Sequence, residues 1–211
     1  RFIAFLQDHD QVGNRAVGDR ASATLRAGLL RVGAALLLTS PFTPMLFMGE
    51  EWGATTPWQF FSDHSAPGLA EAIRKGRRSE FAAHGWGPDE IPDPQDEATF
   101  VRSKLDWSEL KAPRHAGLLK WYQRLTALRR TLPDLTDPRL PSVHCSFDED
   151  ARWFVLRRGQ VAVVCNLADR RQPVPVEGVP FDIPAASATG FTFMPGRIEL
   201  DAESVVIARL L

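Results

Sequence analysis

Two short apolar runs, each followed by polar residues, stand out near the start of the chain. The first covers residues 2–6 and leads into the polar stretch 7–15, and the second covers residues 45–48 and leads into residues 49–53. A buried parallel strand has this pattern where its carboxyl end opens into a site. We therefore expect two parallel strands whose carboxyl ends carry the polar residues of a site.

The segment between the two runs has the periodicity of a helix. Its apolar positions recur at spacings of four, three and four residues, at Leu25, Leu29, Val32 and Leu36. Ser22 or Thr24 is expected to cap the start of this helix, and Pro41 to end it, because proline cannot continue the hydrogen-bond ladder. Strand, helix and strand in this order predict a βαβ unit, which fits a barrel and an open sheet equally well.

Residues 54–110 form a long irregular excursion with a predicted helix over residues 69–83. Stretches of this length between regular elements are more often functional than idle. Four tryptophans lie in or next to this excursion: Trp52, Trp58, Trp86 and Trp107. Their rings either form the small core that the excursion needs or face a cleft, where flat rings suit the apolar faces of sugars. We interpret the basic run over residues 74–78 as a solvated helix face or as ion pairs with nearby glutamates.

The second half of the chain changes from helical to β-rich patterning. A helix is predicted over residues 113–132, with apolar positions at Leu118, Trp121, Leu125, Leu128 and Leu132, and Pro133 ends it. Beyond Pro141, residues 152–156 and 161–165 flank a hairpin turn. Further β-rich runs cover residues 174–176, 191–193 and 204–208. Together they predict a small antiparallel β-sandwich of about 70 residues.

Charge and cysteine content exclude several classes of partner. The 25 basic and 26 acidic residues leave a net charge of −1, so we expect neither nucleic acid nor a membrane surface as a partner. The apolar residues 33–48 are interrupted by Pro41 and Pro44 and are not expected to span a bilayer. Cys145 and Cys165 are expected to be free thiols in a reducing cytoplasm, with a single bridge as the alternative. The histidines lack metal-ligand spacing, so we expect neither a metal nor a cofactor.

Several strings in the chain resemble one enzyme family. Residues 8–10, Asp-His-Asp, are similar to the Asn-His-Asp signature that follows strand seven in the α-amylase superfamily of glycoside hydrolases. The longer string 6–16 resembles the trehalohydrolase branch of that superfamily. The other strings that agree with that branch cover residues 43–51, 57–64, 74–81, 91–96 and 103–107. The resemblance is close over residues 1–167 and loose beyond them.

This resemblance implies an α/β plus all-β fold. Residues 1–140 would be the C-terminal portion of a (β/α)8 TIM barrel, strands seven and eight with their helices, and residues 141–211 a small antiparallel β-sandwich domain. The implied reaction is hydrolysis, with retention, of the α-1,4 bond next to the terminal trehalose of maltooligosyl trehalose, which releases trehalose. The nucleophile and the acid/base of the family belong to strands four and five, upstream of Arg1. The chain alone is therefore expected to be an inactive fragment.

The resemblance also assigns roles to the residues after the first strand. Asp10 matches the family's transition-state stabiliser, because a fixed carboxylate in a dry pocket stabilises an oxocarbenium-like transition state more than the neutral ground state. The implied sugar-binding residues are His9, Gln11, Val12, Gly13 and Asn14. Asp8 departs from the usual Asn. It either raises the pKa of a neighbouring carboxyl by like-charge repulsion or points away from the site.

Two other functions are compatible with these residues. One is another α-amylase-superfamily enzyme such as a glycogen branching enzyme, although those usually carry Glu where this chain has Gln11. The other is a non-catalytic glucan-binding protein that keeps the cleft without the chemistry.

Overall fold

The computed structural model describes residues 2–211, which form two compact units. The first unit contains residues 2–6, Leu25–Met45 and Ala116–Leu211, and the second contains Gln7–Thr24 and Leu46–His115. No helix among the described residues combines the length and the apolar character needed to cross a membrane.

The helices in chain order are α1 (His9–Gly13), α2 (Ala21–Thr24), α3 (Ala27–Thr39), α4 (Pro67–Ala82), α5 (Glu97–Arg102), α6 (Pro113–Thr131) and α7 (Pro133–Thr136). Short 3-10 helices cover Glu50–Trp52, Trp107–Lys111 and Leu140–Ser142. The strands are β1 (Ile3–Ala4), β2 (Thr43–Pro44), β3 (Val143–Asp148), β4 (Trp153–Arg158), β5 (Val161–Asn166), β6 (Gln172–Pro175), β7 (Pro180–Ala186), β8 (Phe191–Met194), β9 (Arg197–Leu200) and β10 (Ser204–Leu210).

The predicted strand–helix–strand order is present at the start of the first unit. Strands β1 and β2 pair in parallel, with Ile3 opposite Thr43, and α3 lies between them in sequence. The second strand covers only Thr43–Pro44, so the prediction of a strand over residues 45–48 was wrong. Its pairing ends at Pro44 because β1 offers only two paired residues, and residues 45–48 are not in a strand.

The predicted cap of α3 was also wrong. Ser22 and Thr24 lie in the separate short helix α2, and the residue before α3 is Arg26, whose side chain makes no capping hydrogen bond. The extended backbone of Arg26 separates the two helices. The end of α3 agrees with the prediction, since the helix stops two residues before Pro41.

The core of the first unit lies between helical and sheet residues. The last turns of α3 bury Ala34, Ala35 and Leu38 against Leu125, which is 0% exposed. The predicted apolar face of α6 is confirmed: its members are buried or packed against this core, and they are Leu118, Trp121, Leu125, Leu128 and Leu132. The Trp121 indole also donates a 2.9 Å hydrogen bond to the Arg31 carbonyl, which ties α6 to α3.

The β-rich end of the chain forms two antiparallel sheets. The five-stranded sheet has the order β3-β4-β5-β10-β7, and the three-stranded sheet has the order β6-β9-β8. The predicted hairpin is confirmed as β4 and β5, with Leu156 opposite Val163. Both sheets contribute to one apolar cluster, in which Val164 and Val206 from the larger sheet meet Ile198 from the smaller one. Two inward faces over a shared core are typical of a β-sandwich.

Three strands were not predicted. Strand β7 contains Pro180 and Pro184 and lies at the edge of its sheet, where a proline does not remove a needed ladder donor. Strand β9 is short and contains charged residues, and β3 is exposed along most of its length. Strand β7 lacks the alternation of apolar and polar residues that identifies a half-buried strand, whereas β9 has this alternation over only four residues.

The second unit holds helices α1, α2, α4 and α5 with long irregular connections. Helix α4 confirms the helix predicted over residues 69–83, and the two differ by only one or two residues at each end. One of its buried apolar clusters joins Ala16, Phe81 and Ile91. Separately from this cluster, a series of edge-to-face ring contacts runs from Phe47 to Trp58, then to Phe61 and then to Phe100. Aromatic packing therefore supplies much of the apolar contact in this unit.

Candidate functional site

The residues after β1 form a short helix rather than a loop. Asp8 has an extended backbone and its carboxylate accepts a 2.8 Å hydrogen bond from the Gln11 amide, so it is the N-cap of α1. Capping by Asp and by Asn is about equally favourable. Asp8 therefore has a structural task that the Asn of the superfamily signature could also perform. This capping role adds to the two sequence-based interpretations of Asp8, which stay predictions.

His9 and Asp10 lie together on the exposed side of α1. Their side chains are 69% and 75% exposed, and His9 Nε2 lies 3.3 Å from Asp10 Oδ1. Gln11 and Asn14 are also exposed. The helix thus presents a carboxylate, an imidazole and two amides on one short surface, a set suited to hydrogen bonding with hydroxyl groups.

Two of the predicted sugar-binding residues on α1, Val12 and Gly13, are buried. Val12 is 2% exposed, and Gly13 is buried with the Trp58 ring close by. A Cβ added at Gly13 would lie 3.5 Å from Trp58 Cδ1. The four polar candidates are therefore exposed, with His9 and Asp10 in contact, whereas Val12 and Gly13 are buried.

The segment that follows α1 is tied to the backbone of Trp58. Gly18 has φ +69°, and its carbonyl accepts a 2.8 Å hydrogen bond from the Trp58 amide. A Cβ at Gly18 would lie 2.3 Å from the Trp58 carbonyl oxygen, so only glycine allows this close approach. Trp58 therefore contacts both Gly13 and Gly18, which precede and follow Arg15 in the sequence.

Arg77 holds the other end of α1. Its Nη2 donates to the Gly13 carbonyl at 2.6 Å and to the Arg15 carbonyl at 3.0 Å. Its guanidinium lies between the rings of Phe60 and Phe81, with centroid distances of 5.0 and 4.9 Å. Burial lowers its pKa, and the residue is 8% exposed. The prediction that residues 74–78 form only a solvated or ion-paired face was wrong for Arg77.

The remaining predicted pairing on α4 is partly confirmed. Arg74 forms an ion pair with Glu71 at 3.5 Å, and its Nε donates to both carboxylate oxygens of Asp93 at 3.1 and 2.9 Å. Asp93 had not been named as a partner from the sequence. Its contact fixes α4 to the proline-rich turn that ends at Pro94.

A second buried arginine organises the residues after β2. Arg20 is 2% exposed and donates from Nε to the Thr56 carbonyl at 2.6 Å and from Nη1 to the Met48 carbonyl at 2.8 Å. Its guanidinium also lies 4.9 Å from the centroid of Phe47. Burial lowers the pKa of Arg20, and the nearby glutamates Glu109, Glu50 and Glu51 act in the opposite direction. This charge attraction offsets part of the cost of burying the cation.

Glu109 connects the excursion to the 3-10 helix at Glu50–Trp52. It accepts hydrogen bonds from the Trp52 indole at 3.2 Å and from the Thr55 amide at 3.1 Å, and the Thr55 hydroxyl also donates to it. Burial raises the pKa of this carboxyl, but the hydrogen bonds from Thr55 and Trp52 and the charge of His115 outweigh burial and hold the pKa below its usual value.

An open aromatic cavity of about 480 Å³ lies beside Trp58 in the second unit. Trp107 lines it with a 64% exposed side chain and rests on Trp52 at a ring distance of 5.0 Å. Lys104 adds a cation over the Phe100 ring. The lining residues are Met48, Trp58, Phe61, Phe100, Ser103, Lys104, Leu105 and Trp107. The expectation that some of the tryptophans face a cleft is therefore confirmed for Trp58 and Trp107, whereas Trp52 is buried.

A second cavity of about 560 Å³ shares two walls with the first. Phe61 and Phe100 line both cavities. The second one also has the carboxylates of Asp63, Asp96 and Glu97 in its lining. Flat rings beside hydrogen-bonding groups form the kind of surface that binds ligands with both apolar and hydroxylated faces.

Some site features had a signal in the sequence and others had none. Asp8 and Gln11 have the spacing of a capping box, acid first and Gln three residues later, so the start of α1 could have been predicted. The burial of Arg20 and Arg77 has no local pattern. In the part of the chain that the structure describes, no three His, Cys, Asp or Glu side chains are grouped in a way that could hold a metal ion.

Comparison with known proteins gives one family match and several close relatives. A family model described as a domain of unknown function, DUF3459, matches residues 138–207. The chain is 52% identical over 178 residues to the malto-oligosyltrehalose trehalohydrolase of Mycobacterium tuberculosis, a match that covers 84% of this chain and 31% of that protein. It is 56% identical over 180 residues to the enzyme of the same name from Arthrobacter ramosus, which covers 85% of this chain and 30% of that protein.

A solved structure agrees with these relatives. A crystal structure of a proposed alpha amylase from Salmonella typhimurium is 32% identical and superposes with a TM-score of 0.82, covering 100% of this chain and 35% of that one. The chain spans about a third of the length of the relatives it matches. The predicted resemblance is thus confirmed: the chain is similar, over most of its length, to the C-terminal portion of these trehalohydrolases.

Proposed function

We propose that this chain serves as the C-terminal portion of a malto-oligosyltrehalose trehalohydrolase, a retaining glycosidase of the α-amylase superfamily. The complete enzyme would cleave the α-1,4-glucosidic bond next to the terminal trehalose of maltooligosyl trehalose and release trehalose. The observation that carries this proposal is the identity to proteins of that one name over more than four-fifths of the chain.

Asp10 would be the transition-state stabiliser. Its carboxylate stands on the exposed side of α1, within 3.3 Å of His9, and positive charge develops on the sugar ring as the glycosidic bond breaks. A fixed negative group beside that ring stabilises the transition state more than the neutral substrate. His9, Gln11 and Asn14 would bind sugar hydroxyls. Val12 and Gly13 would contribute through their backbone and through the packing that holds the helix.

Residues 1–140 would be the last two strands of a (β/α)8 barrel with their helices, and residues 141–211 the appended β-sandwich. The parallel pairing of β1 with β2 supports this proposal. Apolar side chains beside these strands also support it, because they are exposed although a barrel would cover them: Phe2 is 71%, Ile3 63% and Leu6 43% exposed. The nucleophile and the acid/base would come from other strands of that barrel.

The aromatic cavity would hold glucosyl units of the substrate. Trp58 belongs to this cavity and also contacts Gly13 on α1, which places the cavity next to the helix that carries Asp10. The exposed Trp107 ring offers a flat apolar face, as sugar rings require. We also propose a cytoplasmic location, since both cysteines are free thiols.

A glycogen branching enzyme and a non-catalytic glucan-binding protein are the alternatives. The experiment is to incubate the full-length protein that contains this chain with maltotriosyl trehalose and, separately, with amylose, and to identify the products. Free trehalose from the first substrate is the expected result. New branch points in amylose without trehalose release would favour the branching enzyme. Binding of either glucan without any product would favour the non-catalytic protein.

A further inference from the structure

We propose that Arg77 is a positioning residue, which fixes helix α1 so that the Asp10 carboxylate keeps its orientation in the site. This inference rests on the proposed function for the role of Asp10, but not for the role of Arg77 toward α1. Arg77 belongs to α4, 64 residues after Gly13, and lies among basic residues whose sequence pattern suggests solvent exposure.

The contacts of Arg77 satisfy the end of α1. The last carbonyls of a helix have no donor within the helix. Arg77 Nη2 supplies that donor to the Gly13 carbonyl at 2.6 Å, and to the Arg15 carbonyl at 3.0 Å just beyond it. Both hydrogen bonds are charge-assisted, and the one to Gly13 is short. The side chain thus fastens the point where α1 ends and the chain turns toward Gly18.

The guanidinium is held in place independently of α1. The rings of Phe60 and Phe81 lie at 5.0 and 4.9 Å from it, one in the excursion and one on α4 itself. The residue is only 8% exposed, its hydrogen bonds go to two main-chain carbonyls, and the charge of Glu80 also attracts it. Burying a cation is costly, and these hydrogen bonds and ring contacts offset part of that cost.

Asp10 depends on the backbone of α1 for its position. His9 Nε2 lies 3.3 Å from its carboxylate, and the His9 side chain is itself 69% exposed. The backbone around Asp10 is held by the Asp8 cap at one end and by Arg77 at the other. Loss of the second anchor would let the helix shift, and a displacement of about 1 Å costs roughly 100-fold in rate.

The test replaces Arg77 in the full-length protein that contains this chain. Arg77→Ala is compared with Arg78→Ala, because Arg78 is the next residue on the same helix and is exposed. With activity expressed per folded molecule, Arg77→Ala should lower kcat for trehalose release about 100-fold with KM unchanged. Millimolar guanidinium should restore part of that kcat by occupying the vacated space between the two rings. Arg78→Ala should keep the wild-type kcat with and without guanidinium.

Hydrogen exchange provides a readout that needs no activity. The Val12 amide donates to the Asp8 carbonyl at 3.1 Å and the Asn14 amide to the Asp10 carbonyl at 2.8 Å. These two amides should exchange faster in Arg77→Ala than in wild type or in Arg78→Ala, and guanidinium should slow them again.

The proposal is overturned if Arg77→Ala keeps the wild-type kcat per folded molecule, or if guanidinium restores thermal stability without restoring kcat. Unchanged exchange at Val12 and Asn14 also overturns it. If the wild-type protein releases no trehalose, the proposed function fails, and the exchange measurement still decides whether Arg77 anchors α1.

Discussion

Replacing Gly18 by alanine should destabilise the second unit strongly, since two separate penalties act at that position. Gly18 has φ +69°, a conformation that costs an L-residue about 1–2 kcal/mol. An added Cβ would also meet the Trp58 carbonyl oxygen at 2.3 Å and the Gln59 nitrogen at 2.7 Å. These are backbone atoms, which cannot rotate away as a side chain can.

The size of the effect follows from adding the two penalties. Forcing extra volume into a packed position typically costs about 1–3 kcal/mol. Together with the backbone penalty this predicts a loss of about 2–5 kcal/mol in the free energy of unfolding. The hydrogen bond from the Trp58 amide to the Gly18 carbonyl would be displaced, so Trp58 should move away from Gly13 as well.

The measurement is urea unfolding of the wild-type protein, Gly18→Ala and Gly85→Ala, followed by tryptophan fluorescence. Gly85 is the matched control because it has φ +85° but no atom within 4 Å of an added Cβ. The free energy of unfolding of Gly85→Ala should fall only by the backbone penalty, about 1–2 kcal/mol. Equal losses in the two variants would refute the reasoning, because the contact with Trp58 would then contribute nothing.

Two further predictions concern the excursion. Trp107→Ala in the full-length protein should raise KM for maltooligosyl trehalose about two- to tenfold. It should change the free energy of unfolding by less than about 0.5 kcal/mol, since Trp107 is 64% exposed. Trp86→Ala, outside the cavity lining, is its control, and an unchanged KM in Trp107→Ala would contradict the cavity's proposed role. Glu109 has a pKa held below its unfolded value, so its contribution to stability is present above that unfolded pKa and is lost as the pH falls through the folded pKa. Glu109→Gln should therefore unfold at lower urea concentration than wild type near pH 7, with a difference that shrinks near pH 3. A constant difference across that range would contradict the carboxylate's role.

The sequence predicted elements where local pattern and tertiary burial agree. Helix α6 was predicted because its apolar positions recur at helical spacing and the same positions are buried in or packed against the core, Leu125 completely. Strand β2 was misplaced because apolar character was taken as strand, although Met45 and Met48 are exposed and only residues 43–44 pair with β1. Pairing depends on the partner strand, and a local pattern carries no record of how long that partner is.

The candidate site shows the same division. The polar cluster at His9 and Asp10 was predicted in position, and the structure adds that it lies on a capped helix. Its charge suggested that Arg77 faces solvent. Its burial depends on Phe60, a residue that lies outside α4 and far from Arg77 in the sequence. Long-range contacts of this kind fix the geometry of the site and leave no periodic signal.

The most direct test of the central claim compares Asp10→Asn with Asp8→Asn in the full-length enzyme, with trehalose release from maltotriosyl trehalose as the assay. The Asp8 variant keeps a capping side chain and should retain a kcat near that of wild type. The Asp10 variant would lose the charge that we propose faces the developing positive charge, so its kcat should fall by several orders of magnitude with thermal stability unchanged. A near-normal kcat in Asp10→Asn would remove Asp10 from the site and contradict the account.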